Sequence, residues 1–421
     1  MKLFLYSIAI PIGVMLSPET LVLLGNSAGY NGVLFFLSVA IAAVVSCMCA
    51  YSIFYLGRQA DEGNELSLLA KVLGRFPAAA LVISARLSVT LLVATSVLVT
   101  AGFAFNEIFV YWFPNFGFAF LLLGFILVFN IIDKSWAANF QLLLISCILL
   151  SFSVLLIEGL FFPPSANITT QASELTSLAA ASGALLLFLG FDLIINFQAK
   201  NKLIPALAAI CTIFMLFILW GAVSRAHVTS SSLIESSLPH LKAARSIMGQ
   251  NGRLLMGVVV ICGATAAVNG LFLYMGQTAS DLAEQEIIPR FKGEKTLHRL
   301  AIILLSLTIG ILMMSGLAGE DKLTIYYRGA LVLWLLLLSF RCFTAAYLHS
   351  SRKSFSFVAV TTGCIIGFLS LLLVAAAEYT REQLFFCLQV YICALLLMLI
   401  WPAMVKLFSV INRQSDKEKY L

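Results

Sequence analysis

Apolar runs of about 17 to 28 residues, parted by short polar or charged breaks, recur along the whole chain. A helix crossing the hydrocarbon core of a bilayer needs about 20 apolar residues at a rise of about 1.5 Å each. About twelve runs meet that requirement. They lie approximately at Leu3 to Ala28, Gly32 to Gly57, Pro77 to Ala104, Phe116 to Ile132, Trp136 to Phe162, Leu178 to Gln198, Ile204 to Val223, Arg253 to Gly276, Leu300 to Leu317, Leu323 to Tyr347, Phe355 to Ala377 and Gln383 to Phe408. No stretch between them exceeds roughly 30 residues, too short for a separate folded core, so residues 1–421 read as one membrane domain. The first run continues through Pro11, Pro18 and Glu19 without a small-residue cleavage site, which marks it as a span rather than a secretion signal.

Composition agrees with the pattern. The chain is 61% apolar and 11% charged with a mean hydropathy of +1.01, whereas soluble domains run about 45 to 50% apolar and about 25% charged. The net charge of +6 is dispersed between the apolar runs, which argues against nucleic acid and leaves the lipid bilayer as the large partner. About 17 of the 26 Lys and Arg fall on the side of the termini and about 6 on the other. The positive-inside rule therefore puts both termini in the cytoplasm, and a plasma (inner) membrane is the expected location. The loop holding Arg225, Lys242, Arg245 and Arg253 departs from this, as long translocated loops do. The nine cysteines all lie in apolar runs without a CxxC pair and read as packing residues, so neither a metal nor a cofactor is expected. The four histidines sit in loops or at span ends, and no GxxxxGK[ST] phosphate loop occurs, which speaks against an enzyme and against direct drive by ATP.

Two spans carry flaws. Gly13, Ser17, Pro18 and Glu19 fall near the middle of the first, where Pro18 removes a helical N–H and clashes with the preceding turn. Unwinding there would expose backbone carbonyls on one side and a helix N-terminus on the other, groups suited to a zwitterionic or charged ligand. A plain proline kink is the alternative, but a mid-membrane carboxylate such as Glu19 costs roughly 2.5 to 3.5 kcal/mol to insert. In the sixth span Phe188-Leu189-Gly190-Phe191-Asp192 sets a helix-weakening glycine beside a second acid, unless Asp192 merely pairs with Arg86 or Arg328. Matching flaws five spans apart mark an inverted-repeat secondary transporter with its site at the midplane. The predicted substrate-binding set is Gly13, Val14, Met15, Leu16, Ser17, Glu19, Phe188, Gly190 and Asp192, and two acids there also fit a cationic substrate.

These residues resemble the amino acid-polyamine-organocation superfamily of permeases, over about Ile10 to Leu317. Phe188 to Asp192, followed by Lys200-Asn201-Lys202-Leu203-Ile204-Pro205, is similar to the family's aromatic-x-Gly-Phe-Asp stretch and its later Lys-Asn-Pro-x-x-x-Pro segment. Gly63-Asn64-Glu65 through Leu73-Gly74 resembles its re-entrant cytoplasmic segment, and Gln277 to Phe291 its stretch closing on Leu-Pro or Ile-Pro. The first span departs from the family's Gly-Ser-Gly-Ile-Phe pattern by lacking the second glycine, Gln198 replaces a later acid, and the fifth span has no lysine. The resemblance implies an all-α polytopic membrane protein with a five-plus-five inverted repeat of the LeuT type, its halves at about 3–162 and 178–347. Peripheral helices would fill about 355–408 and a short tail 409–421. It implies a permease for amino acids or related amines, driven by protons or sodium or working by exchange, with a channel and a non-transporting nutrient sensor as alternatives.

Other candidates remain open at this stage. Arg86, about nine residues into the third span, either pairs with Asp192 or Glu19 in a protonation-linked gate or snorkels to the inner interface. Arg328 and Arg341 read as interfacial. Thr265 and Asn269, one helical turn apart, supply oxygens to sodium or substrate, or else only interhelical hydrogen bonds. Glu19, Asp192, Arg86, Thr265 and Asn269 together are the ion-coupling candidates. Ser232 to Gly249, broken by Pro239, reads as an outer lid helix or a solvated loop, and Asn167-Ile168-Thr169 as a glycosylation triplet.

Overall fold

The structure, a computed structural model, describes residues 2–30, 34–56, 65–161, 183–194, 202–288, 294–316, 321–350, 356–375 and 380–418. Among them every regular element is helical. Ten helices are long and apolar enough to span a bilayer, and an eleventh crossing is a pair bent by 58°, α1 (Lys2–Met15) and α2 (Pro18–Tyr30). The others in chain order are α3 (Leu34–Ala50), which runs on through a π-helical stretch at Tyr51–Leu56, the short α4 (Glu65–Leu73), α5 (Arg75–Ile108), α6 (Asn115–Ile132) and α7 (Lys134–Phe161). Then follow α8 (Leu203–His227), α9 (Ser230–Glu235), α10 (Pro239–Glu284), α11 (Glu294–Met314), α12 (Asp321–Ser350), α13 (Phe357–Ala375) and α14 (Thr380–Glu418). Of the expected sixth span only residues 183–194 are described; Gln198 and the Asn167 triplet lie outside the described residues.

The chain is an integral membrane protein, and its side chains sort accordingly. On α7 one face, Leu143, Leu150 and Ile157, is exposed, while Ile148, Phe152 and Leu155 are buried in the bundle. In lipid the helices gain nothing from hiding apolar area, so small residues that let backbones approach hold the interior together. α10 is the axial example. A Cβ on Gly263 would stand 2.6 Å from the Leu16 carbonyl oxygen, and one on Gly270 would stand 3.2 Å from the Ile10 side chain, so the first span lies almost bare against α10.

Two faces are distinguished by the ends of the helices. The N-terminal face carries the start of α1, α4, the α6–α7 turn and the end of α10, where Arg299 donates to the Ile131 carbonyl at 2.8 Å. On the far face α9 and the first turns of α10 fold over α2: an added Cβ on Gly25 would lie 2.6 Å from Pro239, and one on Gly29 would lie 3.0 Å from Leu233. The segment expected as a lid or a loop is thus helical on both sides of Pro239. It is set off from the rest of α10 by a kink at Met248 and Gly249, the latter with φ of 61°, a conformation glycine adopts freely.

Candidate functional site

The break in the first span is built by its own sequence. Pro18 opens α2 at the position where a missing N–H costs nothing, Ser17 precedes it, and Glu19 sits in the first turn, where the helix dipole favours a negative charge. The Ser17 and Thr20 hydroxyls lie 2.9 Å apart. Val14, Met15 and Leu16 are fully buried.

The sixth segment unwinds where the sequence weakens it. Over 187–193 the backbone bonds close mostly on the third residue back, as in Leu189 N–H to Leu186 and Leu193 N–H to Gly190, instead of the fourth. Gly190 has φ of 100°, a left-handed conformation that costs other residues about 1 to 3 kcal/mol. A Cβ there would also meet Val14 at 2.7 Å. The two breaks therefore touch, Val14 of the first against Gly190 of the second. Phe188 and Phe191 flank the contact, buried against Phe217 and Trp334.

Asp192 leads from the second break into a chain of charges toward the N-terminal face. One carboxylate oxygen accepts from Trp334 Nε1 at 3.1 Å and the other from Arg341 Nη1 at 2.9 Å. Arg341 Nε stands 3.2 Å from Glu65 Oε1, a charge contact without hydrogen-bond alignment. The other Glu65 oxygen is paired with Arg86, whose second amine donates to Thr278 at 2.7 Å and whose guanidinium lies 4.4 Å from the Tyr274 ring centroid. The four charges alternate and sum to zero. They join the sixth segment, α12, α4, α5 and α10. Burial alone would push the Glu65 carboxyl up, but Arg341 and Arg86 outweigh it and hold that carboxyl below its usual range.

This corrects two expectations. Arg86 neither snorkels nor meets Asp192 or Glu19: α5 starts at Arg75, so Arg86 is buried, 8% exposed, and bound to Glu65. Arg341 is not interfacial, because α12 continues nine residues past it to Ser350, leaving it 7% exposed and paired with Asp192. Arg328 is exposed and makes no such pair among the described residues. Sequence reasoning missed Glu65 and Arg341 as site residues; the available signal was that a buried arginine and a buried aspartate each require a partner.

The remaining candidates lie elsewhere. Glu19 Oε1 accepts from Ser96 and Thr100 of α5, each at 2.8 Å, apart from the charge chain. A Cβ on Gly13 would lie 2.5 Å from Gln141 Nε2. Asn269 donates to Gln141 at 2.7 Å and to the Ala137 carbonyl, and accepts from Asn130 at 2.7 Å, tying α6, α7 and α10. Thr265 donates to Ile261 of its own helix at 2.7 Å. No group of three His, Cys, Asp or Glu among the described residues has metal-binding geometry.

Residues 3–421 match the profile of a family described as amino acid permease. Among curated proteins nothing matches. Among solved structures the chain is similar to a manganese transporter from Eremococcus coleocola, crystallised as a histidine-to-alanine mutant. The identity is 14% and the TM-score 0.61, over 96% of this chain and 94% of that one. At that identity the likeness speaks to the fold, which is the five-plus-five LeuT type with a bent first and an unwound sixth span.

Proposed function

The chain belongs to the amino acid permease family, so it carries a small molecule across a membrane rather than transforming one, and from that premise we propose a secondary permease for amino acids or related amines that works by alternating access. The observation that carries this reading is the contact of Val14 with Gly190, which sets the two broken helices against each other in the bundle. Backbone groups freed at the two breaks, with the half-helix dipoles, bind the charged ends of the substrate. The excess of Lys and Arg on the terminal side argues for cytoplasmic termini, in the plasma (inner) membrane we assign to a permease of this kind. In that orientation the Asp192, Arg341, Glu65 and Arg86 chain is a latch on the cytoplasmic side, and α9 with the start of α10 is the outer lid.

A latch made of alternating charges suits ion coupling. Protonating Asp192 takes away one of the two carboxylates that hold Arg341, loosens the tie between the sixth segment and α12 and favours opening to the cytoplasm, so a proton gradient biases the cycle. The test is the purified chain in liposomes, offered labelled amino acids and amines under imposed proton or sodium gradients. Asp192→Asn is expected to abolish gradient-driven uptake, and undiminished uptake overturns its coupling role. Absence of any uptake or exchange would point to a sensor, and large single-molecule currents to a channel.

A further inference from the structure

Glu19 stands outside the latch, at a different depth. Its partners Ser96 and Thr100 are 12 and 8 residues from the far end of α5 at Ile108, or about 18 and 12 Å along the helix. The side of α2 that bears Glu19 is not sealed. Glu19, Val22, Leu23 and Asn26 are half-buried and Tyr30 is exposed, whereas Leu21, Leu24, Gly25 and Ala28 on the opposite side are buried. Across from it α5 presents half-buried Ser96 and Thr100, then exposed Phe103 and Glu107. A mid-span carboxylate thus lies in a cleft that leads to the far face.

The hydrogen-bond arithmetic of that cleft is one-sided. Ser96 and Thr100 each own one proton, and both protons go to Glu19 Oε1 at 2.8 Å. What remains toward the cleft is the lone pairs of two hydroxyl oxygens and the second carboxylate oxygen, to which no donor is directed among the described residues. About two helical turns further out, the buried Asn26 Oδ1 also lacks a partner. Among the described residues no cation is paired with Glu19: Arg225 donates to the Ala28 carbonyl at 3.2 Å and Arg253 pairs with Glu107. Among the described residues the cleft therefore offers mainly acceptors and one negative charge, with the Tyr327 phenol of α12 near enough to Glu19 to feel that charge, and this is the complement of a compact monovalent cation.

We propose that Glu19, Ser96 and Thr100 form a cation site reached from the far face, which takes an alkali-metal ion or the primary ammonium group of an organic substrate. The proposal rests on the permease reading in that this cation is the cargo or its co-transported ion. The test is thermal unfolding of the purified full chain titrated with sodium, potassium or methylammonium chloride, with choline chloride holding the ionic strength. A saturable rise in the unfolding midpoint with one of the small cations and none with choline is expected. A response to sodium or potassium assigns the metal ion, and one to methylammonium the ammonium group. Glu19→Gln should abolish the response. Ser96→Ala with Thr100→Ala should raise the half-saturating concentration about tenfold, the scale of a lost hydrogen bond to a charged group, and carries the test should Glu19→Gln fail to fold. No response above choline, or one retained in Glu19→Gln, overturns the site. Transport in liposomes without any cation response overturns the site and leaves the permease reading standing, and a Glu19-dependent response without transport does the reverse.

Discussion

Replacing Arg341 by methionine tests the latch most directly. The side chain is of similar length and apolar, so its volume stays filled, but Asp192, 2% exposed, and Glu65, 15% exposed, both lose a cation at 2.9 and 3.2 Å. Removing one partner of a buried ion pair costs about 3 to 5 kcal/mol, because the charge left behind has neither water nor counter-ion. α4 is a nine-residue helix that buries only Leu66 and Leu69, so the loss falls chiefly on its attachment to the bundle. If α4 detaches as a local unit, even 3 kcal/mol raises its open population about 150-fold. Hydrogen exchange of the peptide covering Glu65–Leu73, followed by mass spectrometry in detergent, reads that number. Adding Asp192→Asn to Arg341→Met removes the one carboxylate left without a counter-ion, Glu65 keeping Arg86, so exchange should slow again by on the order of tenfold. Unchanged exchange in Arg341→Met refutes the reasoning, as does a double variant that exchanges as fast as the single one.

Gly190→Ala places a Cβ 2.7 Å from Val14 at a left-handed φ of 100° and should destabilise the protein by about 1 to 3 kcal/mol from the backbone alone, read as a lower unfolding midpoint and loss of transport. The latch should also respond to acid. The Glu65 carboxyl is held below its unfolded value, so its stabilisation is fully present above the ordinary glutamate range of about 4.3 and is lost as pH falls through the lower folded value. Exchange of Glu65–Leu73, corrected for the intrinsic pH dependence of exchange, should be flat from about pH 8 to 5 and rise only in stronger acid. A midpoint near neutrality would refute that assignment.

The sequence disclosed defects better than partners. The first break was legible because Ser17, Pro18 and Glu19 are a helix start in mid-span, and the lid's end was legible at Gly249. The weakness at Gly190 was legible, but its contact with Val14, 176 residues away in the chain, was not. Arg341 and Arg86 were misjudged for one reason. Span boundaries set by apolar windows stop at the last hydrophobic residue, whereas α12 and α5 extend past those limits, so both arginines lie deeper than counting suggested. Glu65 gave no local sign of its role, since an acid at the start of a short amphipathic helix is ordinary and only the fold sets it between two buried guanidinium groups.

Helices that mesh through large side chains resemble gears, and neither can turn until the teeth are lifted clear. The first span rests on α10 at Gly263 and Gly270, where there are no teeth. In the permease reading, rocking of the bent pair along that track would meet little resistance from packing there. Adding bulk to the track should jam the motion without touching substrate, the way grit stops a slide bearing.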